Sequence, residues 1–341
     1  MTQLAAPREA AAGPGWRVAG LRLALRLGGL GLGLAILGWL LSHADLAALL
    51  SAFAHIGWGF VAIVAARAAT IAVDAAAWTM LLPRNERPSF AAMLRLRWIG
   101  ESINTTLPVA QIGGDVVRAR LMQRLAAAPG RGAASVAVDF SLSLFAQILF
   151  TILGFVLLAW KGDQAGWQWA GICAALVPLF GLFFWELLVR RRLLAAVRRI
   201  ALRLRQPRLA AALRALGGAL ALVARDRSAL ARALALHLAS FLTHAGETWL
   251  TLLLMGVSTG FGDAVLLESL GLAARSAAFL IPSGWGAQEA ALVALAGVAG
   301  LTPDTALALG LVKRAREFAV GLPGLVAWAH AERHPAARKR G

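Results

Sequence analysis

The 341-residue sequence has one cysteine, Cys173, set inside an apolar run. That excludes an intrachain disulfide and a multi-cysteine metal site. Charge is scarce as well, at 15% of residues, too little to clothe a soluble domain of this length. Lysine is nearly absent, so arginine supplies the positive charge. There is no HExxH pair, no Cys/His metal spacing, no P-loop and no GxSxG elbow, which leaves the common hydrolase and nucleotide-binding chemistries without their residues. His55, His237 and His244 are scattered. His244 and Glu247, three apart, read as a polar contact rather than a catalytic pair. No cofactor or metal is expected.

What is present is apolar length. Hydrophobic residues make up 59% of the chain. Residues 23–42, 59–82, 133–160, 167–189, 231–255 and 303–330 are each long enough to cross about 30 Å of hydrocarbon. The first run has no Ala-x-Ala-like exit, so no cleavable signal is expected. The formal net charge is +17, which in a soluble protein would suggest nucleic acid. Its distribution argues for a membrane instead and against a nucleic-acid partner. Residues 190–232 hold twelve arginines against one acid, Asp226, and both termini are basic, the positive-inside pattern of cytoplasmic loops. Within that stretch, "RRRLLAAVRRIALRLRQPRLAAALRAL" interleaves leucine and arginine at helical spacing with a break at Pro207. It reads as an amphipathic connector on the anionic inner leaflet.

Threaded with cytoplasmic termini, the chain divides into a basic tail (1–22), a membrane half (23–189) holding a hairpin (89–126), the connector (190–230), a second membrane half (231–331) holding a hairpin (263–299), and a basic tail (332–341). The expected fold is all-α and polytopic, with about six full spans and two Pro/Gly-broken hairpins. The hairpins resemble each other. The first reads Glu101-Ser102, Leu107-Pro108, Gly113-Gly114, Asp115; the second reads Arg275-Ser276, Ile281-Pro282, Gly284, Gly286, Glu289. In each, a charged residue precedes the proline by seven positions and an acid follows it by seven. One hairpin opens to the cytoplasm and the other outward, the pattern of an inverted repeat with discontinuous helices. A helix broken in the membrane frees backbone polar groups, which only protein or a wet cavity tolerates.

Each charge inside the bilayer costs about 2.5–3.5 kcal/mol on insertion scales, so the many charges in these segments predict a polar cavity. One half of a lipid-headgroup site would be lined by Glu101, Asn104, Asp115 and Arg118, shaped by Pro108, Gly113 and Gly114. The other would be lined by Arg275, Gln288 and Glu289, shaped by Pro282 and Gly286. Asp139, Arg314 and Glu317 would face them from adjacent spans. Asp115–Arg118 and Lys313–Glu317 are expected as helix-local pairs, and Arg95, Arg97 and Glu268 near an interface.

"RWIGESINTTLPVAQIGGDVVRARL" (97–121), "ASVAVDFSLSLFAQ" (134–147), "RSAAFLIPSGWGAQEAAL" (275–292) and "LALGLVKRAREFAVGLPGLVAW" (307–328) resemble the HpnL-type hopanoid-biosynthesis-associated membrane proteins. These are similar to the flippase-like membrane domain of lysylphosphatidylglycerol synthases. The resemblance implies a bacterial inner-membrane protein that handles a lipid, a hopanoid or another isoprenoid or phospholipid, alongside hopanoid-pathway enzymes. The aminoacyl-transfer activity of the fused synthases is not expected of this chain. A lipid transporter is the reading. An accessory that gathers hopanoid enzymes, or an intramembrane lipid-modifying enzyme, are its alternatives.

Overall fold

The structure is a computed structural model that describes residues 31, 34–107, 112–125, 130–162, 164–185, 192–203, 205–278, 281 and 284–333. Pro108, Pro282 and most of both basic tails lie outside the described residues. Among these residues the fold is all helical, with no strand. A helical stretch at 34–42 is followed by α1 (Leu46–Ile56), α2 (Gly59–Met80), α3 (Phe90–Thr106), α4 (Gly113–Leu125), α5 (Arg131–Trp160) and α6 (Gln164–Trp185). Then come α7 (Arg192–Arg203), α8 (Pro207–Arg225), α9 (Arg227–Leu254), α10 (Phe261–Ala277), α11 (Ala287–Leu295) and α12 (Pro303–Arg333).

Local chemistry sets several of these boundaries. Ser89 caps α3 by accepting from Ala92 N at 3.3 Å, and Asp226 caps α9 by accepting from Ala229 N at 2.8 Å, each satisfying an orphan helix donor. Pro207 starts α8, where its missing N–H is harmless. Gly286, at φ +77°, turns the chain into α11, a conformation that side-chain-bearing residues rarely adopt.

At about 1.5 Å per residue, the 30 residues of α5 and 31 of α12 outreach the roughly 30 Å of hydrocarbon. α2 and α5 are long and apolar enough to cross by composition alone. α9 and α12 have the length but also carry buried charges, Glu247 on α9 and Lys313, Arg314, Arg316 and Glu317 on α12, each met by a partner on another helix. The hairpin return arms are short: α4 has 13 residues and α11 has nine.

Packing follows an exchange. α2 lies against α9; α3 packs on α12 as α10 packs on α5; α3–α4–α5 stack in sequence as α10–α11–α12 do. Swapping α2–α5 with α9–α12, in order, returns the same set of packed neighbours. Two apolar cores close the ends. One gathers Trp78, Met93, Ile99, Met122, Val138 and Leu220; the other gathers Ile63, Leu252, Leu267, Leu292, Leu309 and Val312. Along α2, Arg67 and Asp74 fall between Ile63 of one core and Trp78 of the other, and the charges of the other helices collect at the same level.

The first hairpin closes by backbone contact. A Cβ on Gly114 would sit 1.9 Å from the Gly100 carbonyl oxygen. Gly114→Ala is therefore expected to force α3 and α4 apart, costing about 1–3 kcal/mol or more, read as a lowered unfolding temperature. An alanine variant that melts with the parent would show that the arms are not in contact.

α7 and α8 pack on each other, and α8 on α5. Val197, Ile200 and Leu202 of α7 stay exposed among Arg198, Arg199 and Arg203, so α7 is amphipathic and part of its apolar surface is left uncovered by the described residues.

Candidate functional site

The layer between the two cores is made of ion pairs in two groups. The first belongs to the aspartates. Arg97 of α3 bonds Asp74 of α2 and Asp139 of α5, each at 3.0 Å. Arg118 of α4 bonds Asp139 at 2.8 Å and Asp115 at 2.9 Å, and its guanidinium lies over the Trp78 ring. His237 of α9, with no exposure, sits between the two acids: Nε2 is 3.1 Å from Asp139 and Nδ1 is 3.5 Å from Asp74.

The second group belongs to the glutamates. Arg67 of α2 donates to Glu101 of α3 and to the His244 ring of α9. Arg275 of α10 pairs with Glu317 of α12. Arg314 bonds Glu289 of α11 at 2.6 Å and Glu317 at 2.9 Å. Lys313 pairs with Glu268 of α10, and Arg316 with Glu247 of α9 at 2.8 Å. Removing one member of such a buried pair leaves an uncompensated charge, so the network holds the helices in register as well as lining a space.

That space is a cavity of about 180 Å³ between the halves, walled by Arg67, Arg97 and Glu101 on one side and Arg275, Lys313 and Glu317 on the other. A second chamber of about 480 Å³ adjoins it between α3, α4 and α5. The two share Arg97, Glu101, Asn104 and the Gln147–Ser276 hydrogen bond, 2.6 Å, which ties α5 to α10. The side chamber grades from Asp115 and Arg118 inside to Ile112, Phe140 and Leu144 at its mouth, and those three are exposed. On the other hairpin, Trp285 packs edge-on against Phe318 and covers Arg314.

Of the residues expected from sequence, Glu101, Asn104, Arg275, Gln288 and Glu317 line the central cavity, while Asp115 and Arg118 line the side chamber. Asn104 holds the first hairpin together, accepting from Gly114 N at 2.7 Å and donating to Asp115 at 3.3 Å. Asp139, Glu289 and Arg314 are buried just behind the walls. Gly113 begins α4 and Gly286 precedes α11.

Three expectations differ from the structure. Lys313 and Glu317 do not pair with each other; Glu268 and Arg275, arriving on α10, take them instead. His244 and Glu247 face different partners, Arg67 and Arg316. Arg97 and Glu268 lie inside the bundle rather than at an interface, because each finds an opposite charge there. The sequence reading omitted Arg67, Asp74, Arg97, His237, Lys313 and Arg316 from the site. A signal existed for two of them: Arg67 and Asp74, seven apart on an otherwise apolar span, fall on one helical face.

At the ends of the bundle, each long helix is fastened across to the other half. Glu332, past the 303–330 span, pairs with Arg120 and Arg124 of α4. Lys161, at the end of α5, pairs with Asp263 and donates to Val298 O. Partial burial works against the charge on Glu332, yet hydrogen bonds from Arg124 and Trp328 and the nearby Arg120 hold its carboxyl below the usual glutamate value. The folded value is the lower one, so the clasp is at full strength above the unfolded value and is lost as the pH falls through the folded value. Acidification is expected to release the end of α12 in the parent and to have no such effect in Glu332→Gln. Hydrogen exchange over residues 325–333 measures it, and equal acid sensitivity in both proteins would sink the assignment.

The sequence model of the family described as Lysylphosphatidylglycerol synthase TM region matches residues 26–324. No curated protein and no solved structure matches the chain. With nearly all of its helical bundle inside the matched range, this all-α membrane protein belongs to the lysylphosphatidylglycerol synthase TM region family.

Proposed function

We propose that this protein moves a lipid headgroup across the bilayer, as a flippase-like transporter of the bacterial inner membrane. The observation that carries the reading is the charged cavity between the halves, continued by a side chamber whose mouth is apolar and exposed. A headgroup can be held by polar groups at mid-depth while its tail stays in hydrocarbon at Ile112, Phe140 and Leu144. Charges at that depth are otherwise expensive.

The exchange of packed neighbours between α2–α5 and α9–α12 supports an inverted repeat. The short arms α4 and α11 suit hairpins that turn back within the membrane, leaving six full spans and both termini in the cytoplasm. The two membrane halves would then be 23–189 and 231–331, joined by the connector 190–230, with the exposed apolar face of α7 resting on anionic lipid. A hopanoid is the proposed cargo, on the likeness of the hairpin segments alone.

The test is the lipid composition of separated inner and outer membranes in a strain lacking the gene, against its parent. Total hopanoids intact but redistributed between membranes is the expected result. Loss of one species everywhere with a precursor accumulating would overturn transport in favour of lipid modification.

A further inference from the structure

Seven arginine and lysine side chains meet eight carboxylates in the buried layer. The mismatch is local. The glutamate group is matched one for one by its arginines and Lys313. The aspartate group is not: Asp74, Asp115 and Asp139 share only Arg97 and Arg118. One positive charge is missing there, in a place where an unbalanced charge is costly. Among the described residues, the remaining basic side chain in contact with that group is His237, fully buried between Asp74 and Asp139.

Among the described residues, nothing else nearby supplies the charge. From α2 only Asp74 reaches the ring, and from α5 only Asp139. Arg97 of α3 and Arg118 of α4 act through those carboxylates. His244, on the same helix, is turned to Arg67. Glu268 of α10 and Lys313 of α12 are joined to each other, and Arg316 of α12 to Glu247.

We propose that His237 is a proton-binding site, an imidazolium that completes the aspartate group and couples proton movement to headgroup movement. Imidazole is the side chain that exchanges a proton near neutral pH. Its Nδ1 faces Asp74, and Asp74 and Arg97 both line the cavity. A proton passing from Nδ1 to the Asp74 carboxylate therefore arrives at the cavity wall. A headgroup that draws Arg97 away from the aspartates strengthens the hold on that proton, and its departure weakens it.

The coupling rests on the transport reading; the charge on the ring does not. The protein, selectively labelled with 15N-histidine, is placed in phosphatidylglycerol–phosphatidylethanolamine liposomes near pH 7 and examined by nitrogen NMR. One ring with both nitrogens protonated is expected, absent from His237→Gln. In Asp139→Asn, which removes the excess carboxylate, that ring is expected to become neutral. Should Asp139→Asn not fold, Asp74→Asn makes the same test. A neutral His237 in the wild type, or a ring still charged in the Asn variant, overturns the site. A charged ring in a protein whose folded His237→Gln variant still redistributes lipid in cells overturns the coupling. No redistribution by the wild type is a failure of the transport reading alone.

Discussion

Asp139→Ala is expected to lower the unfolding free energy by about 3–5 kcal/mol, the cost typical of removing one partner from a buried ion pair. Asp139 is fully buried, and among the described residues it is the only carboxylate that touches Arg97, Arg118 and His237 together. Its loss takes three contacts from the buried layer at once and leaves Arg118, which is 1% exposed, to Asp115 among the described residues. Removing Asp115 instead is expected to cost much less, because that side chain is 19% exposed and Asp139 still holds Arg118. Thermal or denaturant unfolding of the purified protein in nanodiscs measures both. Equal losses for Asp139→Ala and Asp115→Ala would mean that the aspartate group is not arranged around Asp139.

Glu317→Ala is expected to stop lipid movement. Glu317 joins Arg275 of α10 to Arg314 of α12, and both arginines are nearly buried. Without it Arg275 loses its carboxylate on α12 and Arg314 falls back on Glu289, so the cavity wall gains one positive charge that Glu317 had balanced. An added barrier of about 3 kcal/mol, on the scale of an unsatisfied buried charge, slows crossing about a hundredfold. In a strain lacking the gene, Glu317→Ala, Glu101→Ala and Arg275→Ala at equal expression should fail to restore the membrane distribution of lipids. Arg198→Ala with Arg199→Ala, on the exposed α7, should restore it. The reverse pattern would favour an accessory that docks through its arginine-rich connector and transports nothing.

The parts of the fold that were readable in the sequence are those written in local pattern. Apolar runs of membrane length became α2, α5, α6, α9 and α12. The seven-residue spacings around the two prolines marked where α3 stops and α4 begins, and where α10 gives way to α11. The i,i+3 pair Asp115–Arg118 was readable because a single helix places both groups.

The pairings between helices were not readable. Arg67 finds Glu101 across 34 residues, His237 finds Asp139 across 98, and Arg67 finds His244 across 177. No period of a helix encodes such distances. Lys313 shows the difference well: four residues from Glu317, it turns instead to Glu268, brought close by the packing of α10. His237 looked like one scattered histidine among several until α2, α5 and α9 enclosed it.

The sequence alone determined that the chain is helical, that it lies in a membrane, and that charge flanks two proline- and glycine-marked turns, because hydrophobic length, proline and glycine act within a few residues of where they stand. Only the tertiary structure decided which charges meet, where the cavity lies, and that the aspartate group is one positive charge short. Those follow from helices packed side by side, which set the distances between charged groups far apart in sequence.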